Sequence, residues 1–199
     1  MKKIMFNDRY GLTQAVIEGR KTMTRRLVPW ALTEQWMEFV SDAPSVGGVY
    51  VHESEKEFYE REAPRYKVGE VVAVAQSYRD VCAGGFEPDA TILRLFEEQR
   101  IAGWTNKMFT KAELMPYQIR ITGIKCERLY DISEADCLRE GIRYLPQIGN
   151  FYFEDMRREE GFYFDDHREA FASLIDKVSG RGTWDRNPWV VVYEFELVK

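Results

Sequence analysis

Tyr117, Ile119 and Ile121 alternate with polar residues, and Ile124, Cys126 and Leu129 carry the pattern on with its phase shifted just after Gly123. Period-two alternation marks a strand with one buried face, and a phase shift beside a glycine marks a bulge. One long bulged strand over 117–129 commits the chain to a sheet. Residues 71–75 are apolar on both faces and read as a buried strand, entered through a turn at 66–70. Residues 189–198 alternate and read as the final strand, after a turn at 184–188. Residues 3–6 read as a short first strand.

Helices follow from the 3.6-residue period and its caps. Asn7 or Asp8 can cap a helix whose Leu12, Ala15 and Val16 share a face, and Gly19 terminates it. Ser133 caps a short helix, with Asp136 completing a variant capping box and Gly141 at its end. Asp165 or Asp166 opens the clearest helix, with Phe171, Leu174, Ile175 and Val178 on one stripe and Gly180 and Gly182 closing it. The echo of Phe151, Tyr152, Phe153 in Phe162, Tyr163, Phe164 predicts a hairpin lying over the body of the protein.

Elsewhere the periodicity is weak. Residues 30–65 are expected to hold a short helix over 33–40 and a hairpin. Residues 78–115 are expected to be irregular, with a loop at 82–85 and a strand or helix over 91–96. The fold class expected is α+β: one domain over 1–199, with insertions at approximately 30–65, 78–115 and 143–164.

The run Gly19, Arg20, Lys21, Thr22, Met23, Thr24, Arg25, Arg26 holds four cations and two hydroxyls with no acid, although the whole chain carries a net charge of -5. Cations after a helix C-terminus complement its dipole, so part of this charge has a structural reading. The same donors also suit a phosphate or an oxyanion. If the run is a strand, Lys21 and Thr24 point to opposite faces, because their separation is odd. They share a pocket only if the chain turns between them. Glu140 lies in the last turn of its helix, where the dipole disfavours a carboxylate, so helix stability does not explain it.

The acidic balance argues against broad, sequence-blind nucleic-acid binding and leaves room for a local basic pocket. Cys82, Cys126 and Cys137 are too few and too irregularly spaced for a disulfide framework or a zinc knuckle, and read as buried thiols. With two histidines, His52 and His167, a histidine-rich metal site is not expected. Asp165, Asp166 and His167 read as a helix cap rather than metal ligands. No metal or other cofactor is expected. The aromatic pairs of 151–164, and Trp184 and Trp189, read as packing. Tyr78 and Trp104 are candidates to border a cleft. The apolar run 4–6 is too short for a signal peptide and no stretch reaches a membrane span, so the expectation is a cytoplasmic protein with no membrane partner.

Taken in order, these stations resemble the ASCH domain. The resemblance rests on Gly19-x-Lys21-Thr22-x-Thr24-x-Arg26 after a helix, and on Gly69-Glu70 before an apolar strand. It continues in Leu129-x-Asp131-Ile132-Ser133-Glu134, in Leu138-x-Glu140-Gly141, and in the closing Asn187-Pro188-Trp189. The matched segments cover about half the chain. The resemblance implies a PUA-like fold, a small β-barrel with flanking helices, and a cleft beside the first helix. It implies a nucleoside or an RNA element as the partner, bound in a basic cleft. Some small members hydrolyse N4-acetylcytidine to cytidine and acetate with a lysine, a threonine and a glutamate. By motif position those roles fall on Lys21, Thr24 and Glu140, with Arg20, Thr22, Arg25 and Arg26 as ligand-binding candidates. Amidohydrolase activity is the alternative to binding alone, and a phage-type accessory protein acting through protein contacts is a third reading.

Overall fold

The computed structural model describes residues 1–42, 45–46, 49–50, 53–84 and 102–198. Its long strand, Gln118–Arg128, is central in a five-stranded sheet. Numbered along the chain, the strands of that sheet are β1 (Lys3–Ile4), β2 (Met23–Leu27), β5 (Val71–Val74), β6 (Gln118–Arg128) and β10 (Trp189–Leu197). Their spatial order is β1-β5-β6-β10-β2, with β1 and β5 parallel and every other pair antiparallel. The bulge falls beside the glycine: Glu194 faces Gly123 and Phe195 faces Ile121, so Thr122 has no partner in the register.

Val190, Val191, Val192 and Tyr193 are all buried, so β10 is covered on both faces over its first half and alternates only towards its end. The sheet is open rather than the closed barrel expected. β1 is two residues long, and among the described residues it forms no ladder with β2 at the opposite edge. The link between those edges is a side chain: the Arg26 guanidinium donates to the Met5 carbonyl.

Helix α1 (Leu12–Ile17) buries Leu12, Ala15 and Val16. Its N-cap is Gly11 at φ +64, not Asn7 or Asp8, because the Asp8 carboxylate accepts the Thr13 hydroxyl instead. Helix α2 (Trp30–Ser41) is longer than expected and precedes the strand pair β3 (Ser45–Val46) and β4 (Val49–Tyr50). Two helices stand where none was expected. α3 (Glu55–Glu62) opens on a Ser54/Glu57 capping box and buries Phe58 and Tyr59. α4 (Tyr78–Ala83) takes up residues 82 and 83 of the expected loop. Residues 91–96 lie outside the described residues.

Helix α5 (Glu134–Arg139) is capped by Ser133, whose hydroxyl accepts the Asp136 N–H at 3.2 Å. The expected hairpin is a three-stranded sheet of β7 (Arg143–Leu145), β8 (Asn150–Asp155) and β9 (Glu160–Phe164). The aromatic echo is its register: Phe151, Tyr152 and Phe153 face Phe164, Tyr163 and Phe162. Helix α6 (His167–Ser179), capped by Asp166, turns Phe171, Leu174 and Ile175 into a core that also holds Met23, Ile121, Leu129 and Val190. Among the described residues no helix is long and apolar enough to cross a membrane.

Candidate functional site

The segment between α1 and β2 places the site. Gly19, at φ +72, ends α1, and the Lys21 N–H then returns to the Ala15 carbonyl at 2.9 Å. The Thr22 N–H reaches the Arg139 carbonyl at 3.0 Å, which ties this turn to the end of α5. β2 starts at Met23, so Lys21 precedes the strand and strand alternation does not govern it. Lys21 and Thr24 both line one cavity of about 300 Å³.

Lys21 points its ammonium nitrogen at the end of α5. Nζ donates to the Glu140 carbonyl at 2.7 Å and to Glu140 Oε2 at 2.6 Å. Glu140 is the C-cap of α5, so Lys21 satisfies one of the carbonyls a helix end leaves open. The carboxylate that the helix dipole disfavours is held by cations from elsewhere. Its other oxygen, Oε1, accepts from Arg25 Nη1 at 3.1 Å. Gly141, at φ +109, follows directly; a Cβ there would lie 3.0 Å from Leu12 Cδ2, so α1 closes over this corner.

Arg25 is the hub of the charge network, with none of its side chain exposed. Nη2 reaches Glu127 at 2.6 Å and Asp136 at 2.9 Å. A buried ion is tolerated only when its charge and donors are compensated, and three carboxylates do this for Arg25. Arg26 stacks over Phe6 at 5.8 Å, and among the described residues forms no ion pair with a carboxylate. Lys21, Arg25 and Arg26 thus line the cavity with one carboxylate, Glu140, while Glu127 and Asp136 hold Arg25 from behind its lining. The lining carries more cations than acids, but Lys21 and Arg25 are committed to carboxylates.

Burial pushes the Lys21 amine below its ordinary value. Glu140 opposes the shift, while Arg26 and Arg25 add to it. Glu140 is shared with Arg25, so its charge is already largely compensated and burial prevails. A neutral amine has two N–H groups, and both have acceptors here in Glu140 O and Oε2. Thr24 is buried, lines the same cavity, and its hydroxyl makes no hydrogen bond among the described residues.

The opposite wall is apolar: Phe171, Leu174, Ile175 and Val178 of α6. That stripe reads as core in the sequence, and it is both core and cavity wall. Sequence reasoning also misses Glu127 and Asp136, the second because its spacing from Ser133 matches a capping box. The Asp136 carboxylate goes to Arg25 instead.

The structure brings Lys21, Thr24, Arg25, Arg26 and Glu140 together, and leaves Arg20 and Thr22 outside. Arg20 pairs with Glu18 and lines a separate hollow of about 150 Å³. The Thr22 hydroxyl accepts from Arg139 Nε at 3.2 Å. Tyr78 and Trp104 do not border the cavity either. They pack in a second apolar cluster, where the Tyr78 hydroxyl accepts the Lys111 N–H at 3.0 Å. Among the described residues no group of His, Cys, Asp and Glu side chains is arranged to hold a metal ion.

Fold and site together define a mixed α+β protein with a buried, ion-paired cavity at the β2 edge of its sheet. Among solved structures the chain is similar to an ASCH domain from Lactobacillus crispatus JV V101, with 12% identity over 97% of this chain and 76% of that one and a TM-score of 0.36. No protein-family model matches the chain, and no curated protein matches it significantly.

Proposed function

We propose that the cavity is the site of an ASCH-type, PUA-like domain, where a modified nucleoside binds and an acyl group is removed from its exocyclic amine. The observation that carries this reading is the buried Lys21–Glu140 pair at 2.6 Å in the cavity that Thr24, its hydroxyl without a hydrogen bond among the described residues, also lines. At about 300 Å³ the space suits a single small ligand and lies at the lower end for such pockets. With Lys21 and Arg25 already paired to carboxylates, the lining suits an uncharged base better than a run of phosphates. The α6 wall offers apolar contact to the face of the base.

The chemistry follows from the side chains. Neutral Lys21 takes the Thr24 proton, and the alkoxide attacks the amide carbon. As the tetrahedral intermediate collapses, the C–N bond breaks and the Lys21 proton passes to the departing amine. The acyl group now forms an ester on Thr24. Water then attacks that ester with Lys21 again as base, releasing the carboxylic acid and restoring the hydroxyl. Arg25, its donors committed to carboxylates, holds Glu140 in place.

Acetate release from N4-acetylcytidine tests the reading. Thr24→Ala and Lys21→Ala are each expected to lower kcat by roughly 10²-fold or more, with the double variant little worse than either, because the two groups act as a unit. Release of acetate by Thr24→Ala at the parent rate would rule out this mechanism. A parent that neither binds nor turns over N4-acetylcytidine, free or phosphorylated, would overturn the site.

A further inference from the structure

A second cavity, of about 280 Å³, adjoins the first and shares Arg26 and Leu27 with it. It lies where the sheet fails to close, between the β1 segment (Lys3, Ile4, Met5) and β2 (Arg26, Leu27), with Tyr66, Val191 and Tyr193 around it. The two cavities differ in charge. The first holds Glu140 among its lining residues; the second is lined by Lys3, Arg26 and Arg65 and by no acid.

These cations are not equally available. The Lys3 ammonium donates to the carbonyls of Lys107, Met108 and Thr110, so its three N–H groups are committed and it contributes charge alone. Arg26 spends one N–H on the Met5 carbonyl. Arg65 is exposed, lies over the Tyr66 ring at 5.9 Å, and among the described residues its side chain has neither a hydrogen bond nor an ion pair. The Arg26 guanidinium is pushed below its ordinary value, chiefly by burial; Tyr66, Glu140 and Tyr193 oppose the fall, and the nearby Arg65 charge adds to it. Two guanidiniums facing one hollow without a carboxylate are disfavoured as they stand, and an anion bound between them relieves that cost.

We propose that this second cavity is a phosphate subsite, so that the ligand of the first cavity is a phosphorylated nucleotide rather than a free nucleoside. The inference rests on the nucleoside reading above and extends it: base and acyl group lie against α6 and Lys21, and the phosphate reaches Arg26 and Arg65 across the shared wall. A phosphomonoester of a mononucleotide and a phosphodiester within a short strand present the same oxygen chemistry to a guanidinium fork.

The test compares N4-acetylcytidine, its 5′- and 3′-monophosphates, and a trinucleotide carrying the modified base at its centre, in the parent and in Arg65→Ala, which lies on the surface and removes no core volume. Titration calorimetry is expected to show at least one phosphorylated ligand binding roughly tenfold or more tighter than the nucleoside at low salt. In Arg65→Ala that preference should shrink towards unity, and in the parent it should fall with salt along a slope of about one to two contacts. Preference for a monophosphate over the trinucleotide assigns the subsite to a mononucleotide, and the reverse assigns it to a strand. Nucleoside binding with no gain from any phosphate, or an equal gain in Arg65→Ala, overturns the subsite and leaves the first cavity standing. No binding of any of these ligands overturns both.

Discussion

At the scale of single residues, the site turns on how one buried carboxylate is shared. Glu140 accepts from both Lys21 and Arg25, so it cannot fully stabilise a charge on either, and burial depresses the Lys21 amine. If Lys21 is the base, the rate should rise with pH as the amine loses its proton, with a midpoint below its ordinary 10.5. Glu140→Gln keeps the shape and removes a charge that raises the Lys21 value, so the rising limb of kcat/KM should move to lower pH. An unmoved limb would show that another group is titrating. Stability has the matching sign. Between the depressed folded value and 10.5 the unfolded chain binds more protons at Lys21, so its contribution makes stability rise with pH across that window. Lys21→Met should flatten that rise in thermal melts.

At the scale of elements, the joint between α1, α5 and β2 fixes the geometry. The end of α1 hydrogen-bonds Lys21, the end of α5 hydrogen-bonds Thr22 and Lys21, and Gly141 lets α1 pack close. Gly141→Ala would force a side chain into a positive-φ conformation and towards Leu12, at a cost of roughly 1–3 kcal/mol. Gly149 has φ +73, but a Cβ there would meet nothing within 4 Å, so Gly149→Ala bears the backbone cost alone. Thermal melts should show Gly141→Ala as the less stable. Acetate release should fall in that variant and hold in Gly149→Ala; equal loss in both would mean that the joint does not position Lys21. The Ser133 cap belongs to the same joint, and Ser133→Ala should cost about 1 kcal/mol.

At the scale of the whole molecule, one helix serves two purposes. α6 supplies Leu174 to the core, 3% exposed, and the same stripe reaches the cavity through Val178, 36% exposed. Leu174→Ala should therefore destabilise the fold by about 2–5 kcal/mol and weaken ligand binding together. Val178→Ala should weaken binding while leaving the melting temperature within about a degree or two, because exposed positions carry little of the core. A Val178→Ala protein that binds as the parent does would remove α6 from the ligand site. The open seam between β1 and β2 is a property of this same scale, since among the described residues the two-residue β1 pairs with β5 and not with β2.

Elements whose causes are local could be read from the chain alone. The bulge at Gly123, a cap at Asp165 or Asp166, a hairpin from the aromatic echo, and the stripe of α6 all follow from spacing along one segment. Helix α3 carries a local signal in its Ser54 and Glu57 capping box, but a single eight-residue helix among breakers has too short a face to mark itself by period. The site divides the same way. The run from Gly19 to Arg26 and the misplaced carboxylate at 140 mark themselves by composition and by helix electrostatics. The pairing of Arg25 does not, because Glu127 and Asp136 come from a strand and a helix more than a hundred residues beyond it. Which cations were neutralised, which side chains turned away to Glu18 or Arg139, and where the sheet stayed open were settled by the packing of the folded chain. Those outcomes depend on distances between segments remote in sequence, and no local period encodes such distances.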